Sequence, residues 1–355
     1  MLQKILLIAP TLNRTSWYTE STKYSPPLGL YRLKAWLEER VDYKVDVVDP
    51  NIDVIPDDTY DIIGISSVYT TMENDLKLGE KLKQKCRFLF FGGANPTLNP
   101  KPYERLGYVI KGEGEKPLLE FIESGDIRSP VPLSESDWQN AVMHIPFQHI
   151  PWKRYWEKNK QEFGLSEAIR IFTEIGCYRN CSFCSERQLW GKIKCLTAEQ
   201  MRMLIERVSK ILPESGVIML QGSDEVLPGK VKKRWFRLYE EGWKSPRPLI
   251  IQTNVESLDE EVIEALRFVG VQEVDLGLES FSQPILEEFN KNVTAEENEK
   301  ILELLLKEGI RVYGNMILRG EDTDERDVEH TLERIEYWRK RGVKFGVNEK
   351  VQKFL

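Results

Sequence analysis

Eleven short apolar runs, none longer than seven residues, alternate with amphipathic stretches along this 355-residue chain. Five come first, at residues 4–9, 44–48, 62–66, 88–91 and 108–110. Helical periodicity fills 28–40 and 71–84 between them and 117–122 after the last. Near-continuous apolar strands separated by helices form parallel sheets, because each crossover helix must lie on a sheet face and cover it. The expectation for residues 1–125 is a Rossmann-like, doubly wound parallel sheet. Such sheets bind ligands outside the carboxyl ends of their strands, which singles out the loops at 10–27, 66–71, 92–97 and 112–117.

Six more runs follow, at 169–174, 217–221, 248–254, 273–279, 312–318 and 344–348. Helical patterns at 197–212, 230–243, 259–268, 294–308 and 324–341 separate them. Six strand–helix units without a turnaround predict a partial (β/α)6 barrel over 166–355, with its site at the strand C-termini. The stretch 126–165 contains Pro130, Pro132, Pro146 and Pro151 and the aromatics Trp138, Phe147, Trp152, Tyr155 and Trp156. It is expected to form neither helix nor strand, but a packed linker, since the Gly/Ser composition of a flexible tether is missing.

Hydrophobic residues at 41% and charged residues at 30% describe a globular chain, and a net charge of −7 weighs against wholesale nucleic-acid binding. Met1 leads straight into the first apolar run without a signal-peptide layout, and no run approaches membrane-span length. The expectation is a cytoplasmic protein. The basic, aromatic stretch 229–244 could suggest nucleic acid. Trp235, Tyr239 and Trp243 recur at every fourth position, however, which places them on one apolar helix face with the lysines and arginines opposite.

Three of the five cysteines fall in residues 177–184, CYRNCSFC, just past the first strand of the second half. A disulfide framework does not look like this. Structural zinc needs four ligands and usually shows two separated pairs; here a fourth would have to come from Cys195, Cys86 or a distant histidine. Cys195 and Cys86 read better as packing. Four irons held by three thiolates leave one iron open for chemistry, and the C-x3-C-x2-C spacing of Cys177, Cys181 and Cys184 suits a 4Fe–4S cluster.

At these residues the sequence resembles the radical S-adenosylmethionine enzymes. In that family the loop binds a 4Fe–4S cluster whose open iron chelates S-adenosylmethionine. One-electron cleavage then gives a 5′-deoxyadenosyl radical that abstracts hydrogen from substrate. The resemblance continues through LQGSDE (220–225), GLES (277–280) and the following stretch to 325, over nearly all of 165–350. It implies cofactor contacts from Phe183, Gln221, Gly222, Ser223, Asp224, Thr253, Asn254, Glu279, Ser280, Asn315 and Ile317. On the residues alone, Gly222 and Ser223 also suit a chain turn. Asp224 and Glu225 equally suit an acidic pair at a helix start.

Residues 26–39, 49–50, 65–71, 92–97 and 112–120 together resemble the cobalamin-binding module of cobalamin-dependent radical enzymes. The resemblance implies corrin contacts from Thr11, Ser66, Ser67, Val68, Thr70, Gly92, Gly93, Asn95, Gly112, Glu113 and Gly114. One departure stands out. Loop 10–27 lacks the Asp-x-His-x-x-Gly that supplies a lower cobalt ligand in methionine-synthase-type modules, and the only histidines are His144, His149 and His330. The module then holds its corrin without a protein histidine, or has lost it.

The expected function is a cobalamin-dependent radical methyltransferase acting on an unactivated carbon or phosphinate centre. The alternative is a radical enzyme without functional cobalamin that couples, cyclises or rearranges its substrate; a zinc or nucleic-acid-binding module is the distant third. Expected partners are S-adenosylmethionine and an electron donor such as flavodoxin or ferredoxin. Only seven residues follow Asn348, so the barrel mouth is expected to be covered by a bulky substrate or a lid-forming partner, or else by the first domain and linker.

Overall fold

The computed structural model describes residues 3–11, 24–165 and 167–350. They form two compact units that divide after Leu165. The first contains a five-stranded sheet of β1 (Gln3–Ile8), β2 (Tyr43–Val48), β3 (Tyr60–Ser66), β4 (Cys86–Gly92) and β5 (Tyr108–Val109), ordered β2-β1-β3-β4-β5. All its pairs are parallel, and the order reverses at β1, as in a doubly wound sheet. Strand alternation explains both covered faces. Leu6, Ile63, Leu89 and Phe91 point to one side, toward Met72 and Leu76 of helix Met72–Leu82. Phe88 and Phe90 point to the other and meet Phe121 of helix Glu115–Ser124 edge-on at 4.9 and 4.8 Å.

The stretch 126–165 departs from expectation, because it contains helices Glu135–Met143 and Trp152–Phe163 and belongs to the first unit. Proline breaks helices in their interior, but Pro151 sits in front of a helix, where its missing N–H costs nothing. Ser134 caps the other helix by accepting the Asp137 N–H at 3.1 Å. Trp152, Tyr155 and Asn159, spaced i, i+3, i+7, are the buried face of the second helix. The Tyr155 hydroxyl reaches Asp49 at 3.0 Å, and the Asn159 amide brackets the backbone of Tyr24.

The second unit is built on β6 (Ala168–Ile171), β9 (Val217–Leu220), β10 (Leu249–Asn254), β11 (Val271–Glu279), β12 (Arg311–Ile317) and β13 (Lys344–Asn348). All are parallel, and each new strand adds beside the last: β13-β12-β11-β10-β9-β6. This is a six-stranded partial barrel. Ala168, Met219 and Ile250, on three adjacent strands, pack together with Val217. The first strand is shorter than the run 169–174. It ends at Ile171 because the Thr173 hydroxyl turns inward to Glu225, while β7 (Glu174–Ile175) leaves the sheet and pairs antiparallel with β8 (Lys194–Cys195).

Helix Lys230–Glu240 also corrects the sequence reading. Its buried face is Val231, Arg234, Trp235 and Leu238, whereas Tyr239 and Trp243 are only half-buried. An arginine therefore lies on the packed face rather than opposite it.

Candidate active site at the barrel rim

Cys177, Cys181 and Cys184 lie on the loop that leaves β7, and all three line one cleft of about 190 Å³ with Phe183, Ser223, Thr253, Asn254, Glu279 and Asn315. The loop is held from two sides. Segment 288–291 supports one: Ser182 N–H donates to the Phe289 carbonyl at 3.0 Å, the Asn290 amide donates to the Asn180 carbonyl at 2.8 Å, and Phe183 meets the Phe289 ring edge-on. Arg179 supports the other. Its guanidinium donates to Asp224 at 2.6 Å, Glu256 at 2.6 Å and Ser257 at 2.7 Å. These acceptors sit in the loops after β9 and β10, so one side chain ties the cysteine loop to two neighbouring strand ends.

Beneath the cleft is a buried charge network. Asp224 is fully buried and also accepts the hydroxyls of Thr253 at 2.6 Å and Ser257 at 2.8 Å. Glu174 accepts the Asp224 N–H at 2.7 Å, and a Cβ on Gly222 would lie 1.8 Å from its Oε1. Burial, with the nearby Glu225 carboxylate, pushes Glu174 well above the ordinary glutamate range. Glu225 pairs with Arg234, which also donates to the Thr173 carbonyl at 2.7 Å. Burial raises Glu225 too, against the pull of Arg234.

A second polar group faces the cleft directly. Lys291 Nζ donates to Asn254 Oδ1 at 2.5 Å, the Gly277 carbonyl at 3.2 Å and Glu279 at 3.4 Å. Gly277 makes room for it, since a Cβ there would come within 2.9 Å of Glu279 and 3.0 Å of Asn254. Glu279 follows a break in β11–β12 register and has φ +64°, a left-handed conformation rare for a non-glycine residue. Burial raises its carboxyl and Lys291 opposes that shift. One strand layer down, Gln252 lines the cleft and pairs in register with Asp275. Asp275 is 3% exposed, and burial, with Glu273, pushes it up to about 7.

Of the cofactor contacts expected from the resemblance, Gln221, Gly222, Asp224, Ser280 and Ile317 are not among the cleft-lining side chains. Asp224 is spent on Arg179 and the hydroxyls. Ser280 shares a 3.0 Å bond with Thr331, and Ile317 packs on Ile285 and Phe289. Sequence reasoning missed Arg179, Glu186, Gln252 and Lys291, which do line the cleft, and Arg234 below it. Arg234 had a signal, a charge at an apolar helix position between Val231 and Leu238; Lys291 had none. Cys195 is buried with Leu227 and Val231. A single zinc ion needs its donors about 2.0–2.3 Å from one point. Among the described residues no three histidine, cysteine or carboxylate side chains are so arranged. Three thiolates on a cubane each bind a different iron and need not converge, so the donor set fits a cluster. Burial holds the Cys181 thiol above its ordinary range and Lys291 pulls it back, so metal binding would displace a proton there.

At the carboxyl end of the first sheet, the expected corrin contacts divide into two groups. Ser67 and Asn95 are buried. Ser67 bonds Asp75 at 2.7 Å and Tyr103 at 2.9 Å, Asn95 donates to Tyr103 at 2.7 Å, and the Thr11 N–H donates to Asp75 at 3.0 Å. Glu113 is buried and accepts the Leu133 N–H at 2.8 Å. Ser66, Val68, Thr70, Gly92, Gly93, Gly112 and Gly114 are half-exposed. A Cβ on Gly92 would find nothing nearer than the Ile110 carbonyl at 4.0 Å, leaving a shallow open cradle at the end of β4. This fits a broad flat ligand approaching the backbone. Gly93 is different: at φ +98°, a Cβ would strike the Ser67 carbonyl at 2.7 Å, so that glycine serves the fold.

Residues 173–335 match the Radical SAM superfamily model and residues 18–122 the B12 binding domain model. The chain joins a B12-binding domain to a radical SAM domain. The cofactors that go with this pair are a 4Fe–4S cluster, S-adenosylmethionine and cobalamin. Curated relatives include an uncharacterized methyltransferase of Pyrococcus horikoshii, 25% identical over 93% of this chain and 77% of that protein. The cytidylyl-2-hydroxyethylphosphonate methyltransferase of Streptomyces wedmorensis is 22% identical over 89% of this chain and 72% of its own. The fold is that of the radical S-adenosylmethionine methyltransferase TsrM from Kitasatospora setae, solved with cobalamin and a [4Fe–4S] cluster (TM-score 0.74, 15% identity, 98% of this chain and 75% of that one). It is shared with the cobalamin-dependent radical enzyme OxsB, solved with aqua-cobalamin (TM-score 0.73, 16% identity, 99% of this chain). The chain spans about half the length of OxsB, 54%.

Among the described residues no helix is long and apolar enough to cross a membrane.

Proposed function

We propose that this chain is a cobalamin-dependent radical methyltransferase that methylates an unactivated carbon or phosphinate centre. The observation that carries the reading is the three-thiol cleft at the mouth of the partial barrel, in a chain that also has a B12-binding domain. The relatives described as methyltransferases support the methyl-transfer half. When bound, the cluster supplies one electron for S-adenosylmethionine cleavage and the corrin relays the methyl group.

The chain's own residues then divide the binding work. Cys177, Cys181 and Cys184 supply thiolates. Lys291 offers an ammonium to the carboxylate end of S-adenosylmethionine, with Asn254 and Asn315 as amide partners. Ser223 and Glu186, 2.5 Å apart, offer oxygens to its amino group. Phe183 gives an apolar surface for the adenine. On the first domain, Ser66 and Thr70 offer hydroxyls and Gly92 close backbone approach to the corrin. The two histidines of the first unit, His144 and His149, are exposed and lie after helix Glu135–Met143 rather than in the strand-end loops. An electron donor of the flavodoxin or ferredoxin kind, a cytoplasmic setting and a bulky substrate complete the proposal.

OxsB is described as a cobalamin-dependent radical enzyme and not as a methyltransferase, and the likeness to it supports a second reading in which the radical couples, cyclises or rearranges the substrate without methylation. Anaerobic reconstitution with iron, sulfide and cobalamin tests both. About four irons per chain and corrin absorbance are expected, with 5′-deoxyadenosine and S-adenosylhomocysteine both released from S-adenosylmethionine. Deoxyadenosine without S-adenosylhomocysteine would favour the second reading. Failure to retain iron would overturn both.

A further inference from the structure

Arg179 lies midway between Cys177 and Cys181, and its surroundings are more specific than loop anchoring requires. Its backbone N–H donates to Cys177 Sγ at 3.4 Å, and its Nη1 lies 4.0 Å from the same sulfur. The guanidinium is nearly buried, with 8% of the side chain exposed, and faces two carboxylates, Asp224 and Glu256. Within this group the formal charges sum to −1, so Arg179 cancels one of two negative charges beside the first cysteine.

We propose that Arg179 is a positioning residue that sets the reduction potential of the cluster through Cys177, as one end of an arginine–dicarboxylate relay. This rests on the reading that Cys177, Cys181 and Cys184 hold a 4Fe–4S cluster. The physical basis is general. Cluster potentials respond to net charge, to hydrogen bonds on the sulfurs and to solvent exposure. Adding an electron to the cluster adds negative charge next to Cys177. A fixed cation and an N–H donor on that sulfur favour the reduced form, and the two carboxylates oppose it. Glu256 is the adjustable part, because its side chain is 27% exposed whereas that of Asp224 is fully buried.

The arrangement makes a prediction of sign that a purely mechanical anchor does not. Arg179→Gln removes the cation and should lower the midpoint potential. Glu256→Gln removes one opposing carboxylate while keeping the arginine, and should raise it. Arg179→Lys keeps the charge and should restore most of the potential. An anchor would instead give the same direction of change in both neutral variants, or lost iron with no change in potential.

The experiment is a dithionite-poised redox titration of the reconstituted full chain, followed by electron paramagnetic resonance, with iron content measured on each sample. At least a tenfold change in the reduced-to-oxidised ratio at fixed ambient potential is expected, or 59 mV for one electron, in opposite directions for the two neutral variants. If Arg179→Gln fails to retain a cluster, Glu256→Gln and Arg179→Lys still carry the test. Potentials equal to wild type, or shifted in the same direction, in cluster-loaded variants would overturn the proposal. Absence of iron in the wild-type protein would instead overturn the cluster reading itself.

Discussion

Replacing Arg234 with Met removes the cation that neutralises Glu225 in an interior where Glu174, Asp224 and Glu225 are all fully buried. The Arg234 side chain is 2% exposed and Glu225 wholly buried, so water cannot take over the lost contact. Breaking a buried pair by deleting one partner costs about 3–5 kcal/mol, most of it the stranded charge. For a domain of this size roughly 2–4 °C accompanies each kcal/mol, giving a loss of roughly 6–20 °C in Tm for the second unit. The pH dependence follows from the direction of the Glu225 shift, which is upward. An acid that binds its proton more tightly when folded stabilises less as pH rises from its unfolded value through its folded value. Losing Arg234 raises Glu225 further, so the deficit should be larger at pH 8 than at pH 5. Glu225→Gln added to Arg234→Met removes the stranded charge and should restore most of the loss. Thermal unfolding of the metal-free protein, followed by circular dichroism at both pH values, measures all three. A single variant within 1 °C of wild type, or a double variant no better than the single, would refute the argument.

Gly222→Ala places a methyl group against a locked Glu174 carboxyl; about 1–3 kcal/mol of overpacking is expected, read as a lower urea midpoint of the second unit. Cys181→Ala should abolish iron retention, whereas Cys195→Ala, which only trims a packed side chain, should keep it; iron assay after reconstitution decides. Asp275 sits near pH 7 when folded, so wild-type stability should fall as pH rises from the ordinary aspartate range toward 7. Asp275→Asn should flatten that slope and be more stable above pH 7 by up to about 4 kcal/mol, measured as Tm against pH. Bound cobalamin in its Co(II) form should show no nitrogen hyperfine splitting from a protein imidazole.

The parts of this molecule legible in the sequence are those that repeat along the chain. Strand β1 announces itself as a continuous apolar run, helix Met72–Leu82 by period, and the cysteine loop by spacing. The helix at 152–163 is hidden because proline breaks a helix in its interior but not in front of it, and Pro151 directly precedes this one. Lys291 and Arg179 were hidden for another reason. Their partners, Asn254 and Glu279 for one and Asp224 and Glu256 for the other, lie 12 to 77 positions away, and only the barrel brings them together. Asp224 shows the converse: its motif position suggested a ligand, but its neighbours consume both oxygens.

At the carboxyl end of the first sheet, Ser66 and Ser67 are adjacent in sequence but differ in burial. Ser67 joins Asp75, Tyr103 and Asn95 in a closed set of hydrogen bonds that reaches the backbone after β1 through Thr11. Ser66 remains half-exposed, as do Thr70 and Gly92. One register of residues therefore fastens the loops to each other, and the other is left to meet whatever arrives. The two can change independently. A chain of this design can acquire preference for a different ligand by substitutions at alternate positions, and the loops that carry them stay in place.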